Sequence, residues 1–328
     1  MGQCFSTTCQ NCCFSTVLLG YACSSGGIEK LQNKFAFFPP SPPTYAIAAD
    51  GSVTYNDPRC AAEAAAIARL PVLSTIRRLH TKAGNDIAFF HCQPEERKHP
   101  FTLLWSHGNA LDCGELHGFI AHLALDLGIA VCAYDYSGYG ASSGAPSERM
   151  ICTDSEAVYA HLTDDLGVDA ANELVVYGQS VGSGPSVRLA ARHPVRALVL
   201  HAPIASGIRV LAPNWTNLCS PVNTFYCCDL FPNYRVASRV TCPTLLMHGT
   251  HDEVVAPRNS AEIHRRMVSR GRAEVRDVHY VRGAGHNDLV EADPRGYLQL
   301  LKEFLGSLNG GSRGGNEQRT GELQPSLL

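Results

Sequence analysis

A chain of 328 residues is long enough for one large domain or two small ones, and 45% hydrophobic against 17% charged residues describes a globular protein with a sizeable core. A net charge of -3 gives no electrostatic reason to expect a nucleic-acid partner. The longest apolar run near the start, "TVLLGYA", is far short of the roughly 20 residues a spanning helix needs, so no transmembrane helix is expected.

Residues 1–28 form an uncharged strip. Five of the 14 cysteines fall in its first 23 residues, and no Lys, Arg, Asp or Glu occurs before Glu29. Met1-Gly2-Gln3-Cys4-Phe5-Ser6 fits M-G-x-x-x-[ST], the signal for N-myristoylation at Gly2. One myristoyl chain binds membranes only marginally, with an association constant on the order of 10⁴ M⁻¹. A second lipid is needed for stable residence, and Cys4, Cys9, Cys12 and Cys13 are the evident S-acylation sites. A secretory signal peptide fits less well, because the strip lacks a basic n-region and Gln10 and Asn11 interrupt its apolar stretch. The strip is therefore expected to anchor the chain to a membrane surface.

Residues 29–74 read as a linker. They carry "FAFFPPSPPTY" (35–45), which favours extended polyproline geometry, and the Ala-rich "CAAEAAAIARL", which predicts a short helix. From 75 to 308 the pattern alternates. Strand-length apolar runs are "FTLLWS" (101–106), "IAVCAYDY" (129–136), "LVVYG" (174–178), "ALVLHA" (197–202) and "TLLMHG" (244–249). Between them, Leu116, Phe119, Ile120, Leu123 and Leu127 mark one helix face, with Gly128 as its stop. Asp293 and Pro294 open a second helix whose face is Tyr297, Leu301, Phe304 and Leu308. Continuous apolar strands alternating with amphipathic helices predict one α/β domain, a mostly parallel sheet covered on both faces. Residues 309–328 are Gly-rich and polar, with too little apolar surface to fold. The cysteines beyond the strip are scattered, many inside apolar runs, which predicts buried free thiols in a reducing compartment. Cys227 and Cys228 are adjacent and do not suit a zinc site.

The sharpest chemical signal is Gly178-Gln179-Ser180-Val181-Gly182, placed between a strand and a helix. This is the G-x-S-x-G nucleophile elbow in its expected context, in which a strained turn lifts the serine hydroxyl clear of the sheet. A serine needs a base held by a carboxylate, and on such a fold the acid precedes the histidine in the chain. Asp252 lies just past a strand end in "LLMHGTHDEVV", and His286 sits in the Gly-rich "VRGAGHNDLV". Among the 14 histidines, His193 and His264 read as helix-surface residues. Glu253 and Asp288 compete with Asp252. Glu253 begins the segment that turns back to the body, and Asp288 is too close in sequence to reach behind His286. The loop His107-Gly108-Asn109 leaves a strand where these folds supply one oxyanion donor, at Asn109, and Val181 supplies the second.

Together "SHGNALD", "YDYSGYGASSGAPSE" (134–148), "YGQSVG", "HGTHDEVV" and "GAGHND" resemble the alpha/beta-hydrolase-domain-containing 17 family of protein depalmitoylases, and "FAFFPPSPPTY" resembles that family's pre-domain segment. The resemblance spans about residues 34–308. It implies an alpha/beta-hydrolase fold and a palmitoyl-protein thioesterase with Ser180, Asp252 and His286 as triad. It also implies S-acylated membrane proteins as substrates, the cytoplasmic face of the plasma or endosomal membrane as location, and neither metal nor cofactor. The insert "VLAPNWTNLCSPVNTFYCCDLFPNY" (210–234) departs from the family pattern. It stands where hydrolases place lids, and Trp215, Phe225, Tyr226 and Phe231 could line an acyl groove or fill a small satellite core. A lipid or carboxyl esterase, a prolyl-oligopeptidase-type peptidase and a silent binding scaffold are the rival readings.

Overall fold

A computed structural model describes residues 36–211, 229–269 and 274–309. Ten strands occur there: β1 (Tyr45–Ile47), β2 (Val53–Tyr55), β3 (Val72–His80), β4 (Asp86–Pro94), β5 (Thr102–Ser106), β6 (Ala130–Tyr134), β7 (Leu174–Gln179), β8 (Ala197–His201), β9 (Thr244–Gly249) and β10 (His279–Val281). The first two pair with each other, and the other eight form one sheet in the order β10-β9-β8-β7-β5-β6-β4-β3. From β10 to β6 every pairing is parallel; β4 runs antiparallel to β6, and β3 antiparallel to β4. This is the alpha/beta-hydrolase architecture.

The longer helices are α1 (Pro58–Ile67), α2 (Cys113–Leu127), α3 (Glu148–Ala160), α4 (Ser183–Ala190), α5 (Arg258–Val268) and α6 (Pro294–Leu308). Successive strand side chains alternate between two cores. Leu104, Val176, Leu198 and Leu246 pack under α3, α4 and α5, while Leu103, Val175, Val199 and Leu245 pack under α1, α2 and α6. Both faces are dry, which is why these strands read as unbroken apolar runs. The α2 helix ends at Gly128, whose φ of 64° lets the next N–H, that of Ile129, turn back to the Ala124 carbonyl at 3.2 Å. At the start of α6 the Asp293 side chain accepts from the Gly296 N–H at 2.9 Å.

Residues 36–71 correct the linker expectation. Phe37, Tyr45, Ile47 and Ile67 are buried in the two cores, and Thr44 N–H donates to Asp112 at 2.9 Å. The segment is part of the body because its apolar side chains pack into both cores. β3 and β4 form a nine-residue antiparallel pair that the apolar pattern did not reveal. All six described cysteines outside the strip and insert, Cys60, Cys92, Cys113, Cys132, Cys152 and Cys242, are buried free thiols. Among the described residues no helix is long and apolar enough to cross a membrane.

Candidate active site

Ser180 follows β7 in the left-handed region, with φ of 51°. A β-carbon there is normally avoided, so the turn is strained and is held by its neighbours. The flanking glycines explain how. A β-carbon on Gly178 would stand 2.8 Å from the Gly182 carbonyl oxygen, and one on Gly182 would stand 2.1 Å from the Ser106 carbonyl oxygen. Gly182 is thus the reason the loop after β5 can lie against the elbow, bringing the Asn109 and Val181 segments to one place.

His286, in the loop between β10 and α6, reaches Ser180 Oγ with Nε2 at 2.9 Å and Asp252 Oδ2 with Nδ1 at 2.7 Å. A carboxylate accepts, so Nδ1 carries the proton and Nε2 is free to accept from the serine. Asp252, just past β9, also receives the Val254 and Val255 N–H groups on Oδ1, at 3.0 and 2.7 Å. Burial alone would raise this carboxyl. Hydrogen bonds from His248 and His286 and from the Val255 N–H outweigh burial and hold it well below the usual carboxylate range. The expected triad residues therefore lie in hydrogen-bond sequence. Asp288 is engaged elsewhere, accepting from Gly285 N–H at 2.6 Å.

His248 is a second imidazole on the same carboxylate, which the sequence reading missed. Its Nε2 is 2.7 Å from the Val255 carbonyl and 3.1 Å from Asp252 Oδ2, and its Nδ1 is 2.6 Å from Ser260 Oγ. The carbonyl can only accept, so the Nε2 proton is shared between Val255 and Asp252. The signal was present in "HGTHD", which spaces His248 four residues before Asp252. Nearby, burial pushes His201 down to about 3, with His286 and His248 adding to the effect, so this ring is neutral. Its Nδ1 meets the Tyr177 hydroxyl at 2.8 Å.

The Asn109 loop is held from three sides. Tyr136 donates its hydroxyl to the His107 carbonyl at 2.6 Å, and Tyr139 donates to Asn109 Oδ1 at 2.7 Å. Asn109 Oδ1 also accepts from Phe38 N–H at 3.0 Å, and its Nδ2 donates to the Ala36 carbonyl at 2.8 Å. With the side-chain amide so engaged, the group Asn109 can offer an oxyanion is its backbone N–H. Phe231 is 97% withdrawn from solvent and packs in the core, in contact range of Gly184, where a β-carbon would come 2.2 Å from its ring. Of the two roles expected for it, the structure gives it the packing one. Trp215, Phe225 and Tyr226 lie outside the described residues, as do Gly2, Cys4, Cys9, Cys12 and Cys13.

A family model described as serine aminopeptidase, S33, matches residues 98–236. The alpha/beta hydrolase domain-containing protein aho-3 of Caenorhabditis elegans is 39% identical over 277 residues, which cover 84% of this chain and 78% of that protein. The alpha/beta hydrolase domain-containing protein 17B of Homo sapiens is 37% identical over 282 residues, 84% of this chain and 91% of its own. Among solved structures, an esterase of Pyrococcus furiosus superposes with a TM-score of 0.57 at 16% identity, covering 72% of this chain and 92% of that one. At that identity the likeness is one of fold.

Proposed function

The chain belongs to the alpha/beta hydrolase domain-containing 17 family and is a serine hydrolase, and from that premise we propose that it removes long acyl chains, palmitoyl above all, from S-acylated cysteines of membrane-associated proteins. The observation that carries the reading is the Ser180–His286–Asp252 relay, with contacts of 2.9 and 2.7 Å on a nucleophile elbow. Ser180 Oγ attacks the thioester carbonyl as its proton passes to His286 Nε2. Asp252, kept ionised by its donors, stabilises the imidazolium that forms and fixes the ring. The backbone N–H groups of Asn109 and Val181 receive the oxyanion. Collapse breaks the C–S bond, and the departing thiolate takes the proton from His286. Its departure is easy, because a cysteine thiol has a pKa near 8.5 in general. Water, deprotonated by the same imidazole, then hydrolyses the acyl-serine.

The substrate class is supported by the family resemblance and by the opening strip, whose Gly2 and Cys4, Cys9, Cys12 and Cys13 fit a two-lipid anchor at the cytoplasmic face of a membrane. An enzyme confined to the surface of its substrates meets them at raised effective concentration. Purified protein should hydrolyse a palmitoyl thioester faster than a matched long-chain ester or peptide amide. A clear preference for the ester or the amide would replace this reading with one of its rivals. In cells, Gly2→Ala should move the protein into the soluble fraction and sharply reduce deacylation of membrane proteins.

A further inference from the structure

The two oxyanion donors stand on different segments, Asn109 on the loop after β5 and Val181 on the turn after β7, and a third segment touches both. The Asn109 carboxamide accepts from Phe38 N–H at 3.0 Å and donates to the Ala36 carbonyl at 2.8 Å. It pairs with residues 36 and 38 as a strand amide would pair with a neighbouring strand. Phe37, between them, points the other way. It is buried and meets Phe231 edge-on, at 6.2 Å between centroids and 84° between planes. Phe231 in turn covers Gly184 in the first turn of α4, four residues after the nucleophile. One short strap is thus bonded to the first donor segment through Asn109 and packed on the second through Phe37 and Phe231.

We propose that Ala36–Phe38, held by the Asn109 side chain, is a positioning strap that sets the separation of the two oxyanion donors. Such donors act by being preset where negative charge develops, so a small change of spacing weakens transition-state binding and leaves ground-state binding nearly alone. Asn109 offers its backbone N–H to the oxyanion whatever its side chain, and the carboxamide is therefore free to serve as the strap's anchor. The inference rests on the hydrolase reading above and applies to esters and thioesters alike.

The test uses full-length wild type, Asn109→Ala, Phe37→Ala, Phe37→Leu and the Asn109→Ala/Phe37→Ala double variant. Fluorophosphonate labelling to completion counts active sites, and turnover of a short thioester and a short ester is expressed per site. Asn109→Ala and Phe37→Ala should each lower kcat by about 10²-fold, the scale of losing one oxyanion donor, with KM nearly unchanged. Affinity for an alkylboronic acid, which forms a tetrahedral adduct on the serine, should fall in parallel. The double variant should be little worse than either single one, because both break the same strap, and Phe37→Leu should recover most of the loss. If the variants lose labelled sites or thermal stability while kcat per site stays at wild type, the strap is packing only and the proposal falls. Multiplicative losses in the double variant would equally overturn a single strap. Wild-type preference between thioester and ester tests the substrate class, whereas the ratio of variant to wild type tests the strap.

Discussion

Asp252 and Asp154 are both withdrawn from water, and both accept hydrogen bonds from main chain and side chain, yet burial prevails at one and fails at the other. Asp154, on α3, receives Ser137 alone among the described residues, through its N–H at 2.7 Å and its hydroxyl at 2.9 Å. Burial outweighs those two bonds and pushes the carboxyl up to about 6. Asp252 has two imidazoles and two N–H groups, and its carboxyl is driven the opposite way. Two neutral donors from one residue can place a buried carboxyl. Four donors, two of them rings able to carry charge, keep it ionised for chemistry.

The largest effect that could break this contrast is kinetic. Asp252→Asn should lower kcat by on the order of 10⁴-fold, since an amide favours the wrong imidazole tautomer. Asp154→Asn should leave turnover nearly unchanged. Comparable losses in the two variants would erase the distinction.

A smaller effect isolates one donor. His248→Leu leaves Asp252 its His286 and backbone partners but removes the bond at 3.1 Å. Hydrogen bonds to charged groups are worth roughly 1.5–3 kcal/mol, so a fall in kcat of about tenfold is expected, with His248→Gln recovering part of it. Wild-type turnover in His248→Leu would mean that this ring serves the β9–α5 packing alone.

The pH dependence of stability sharpens the comparison by its sign. The folded pKa of Asp252 is depressed, so its contribution is present above an unfolded value near 3.9 in general and is lost as pH falls below it. Asp154 is raised, so its contribution is complete below about 3.9 and is lost as pH climbs through about 6. Urea unfolding should show wild type losing its advantage over Asp252→Asn below about pH 4. Between about 4 and 6 it should lose ground to Asp154→Asn, by about 1.4 kcal/mol per pH unit. Curves bending in the same direction would reverse one of the two assignments. The smallest expected change is in Ser137→Ala, which removes the hydroxyl that donates to Asp154 and should move the Asp154 titration further above about 6 in a carboxyl-resolved NMR experiment.

Legibility in the sequence followed the physics of each segment. β5 to β9 are buried on both faces and so announce themselves as apolar runs; the elbow declares itself because its glycines answer a steric demand that no other residue meets. β3 was hidden, since an edge strand carrying Arg77, Arg78 and a 65% exposed Leu73 has no such run, and β4, whose run Ile87–Phe90 is only four residues long, was passed over with it. The strap was hidden for another reason. A single buried Phe37 between Pro-rich and aromatic neighbours has no period, and Asn109, which accepts from the adjacent Phe38 N–H, lies 71 residues further along the chain. Phe231 was read as one aromatic among four in the insert, whereas its place is fixed by the missing side chain of Gly184, which only the fold brings beneath it.

The buried cysteines bear on a hazard of the proposed trade. Acyl thioesters pass readily from one thiolate to another, so a protein working among them risks collecting acyl chains on its own sulfurs. Burial raises the thiols of Cys92 to about 11 and of Cys152 and Cys242 to about 12, and those of Cys113 and Cys132 are raised as well. These sulfurs stay protonated at neutral pH and out of reach of a transferring chain. Five thiols of the hydrolase body are thereby closed to transacylation, and adventitious acyl traffic is directed away from the packed core.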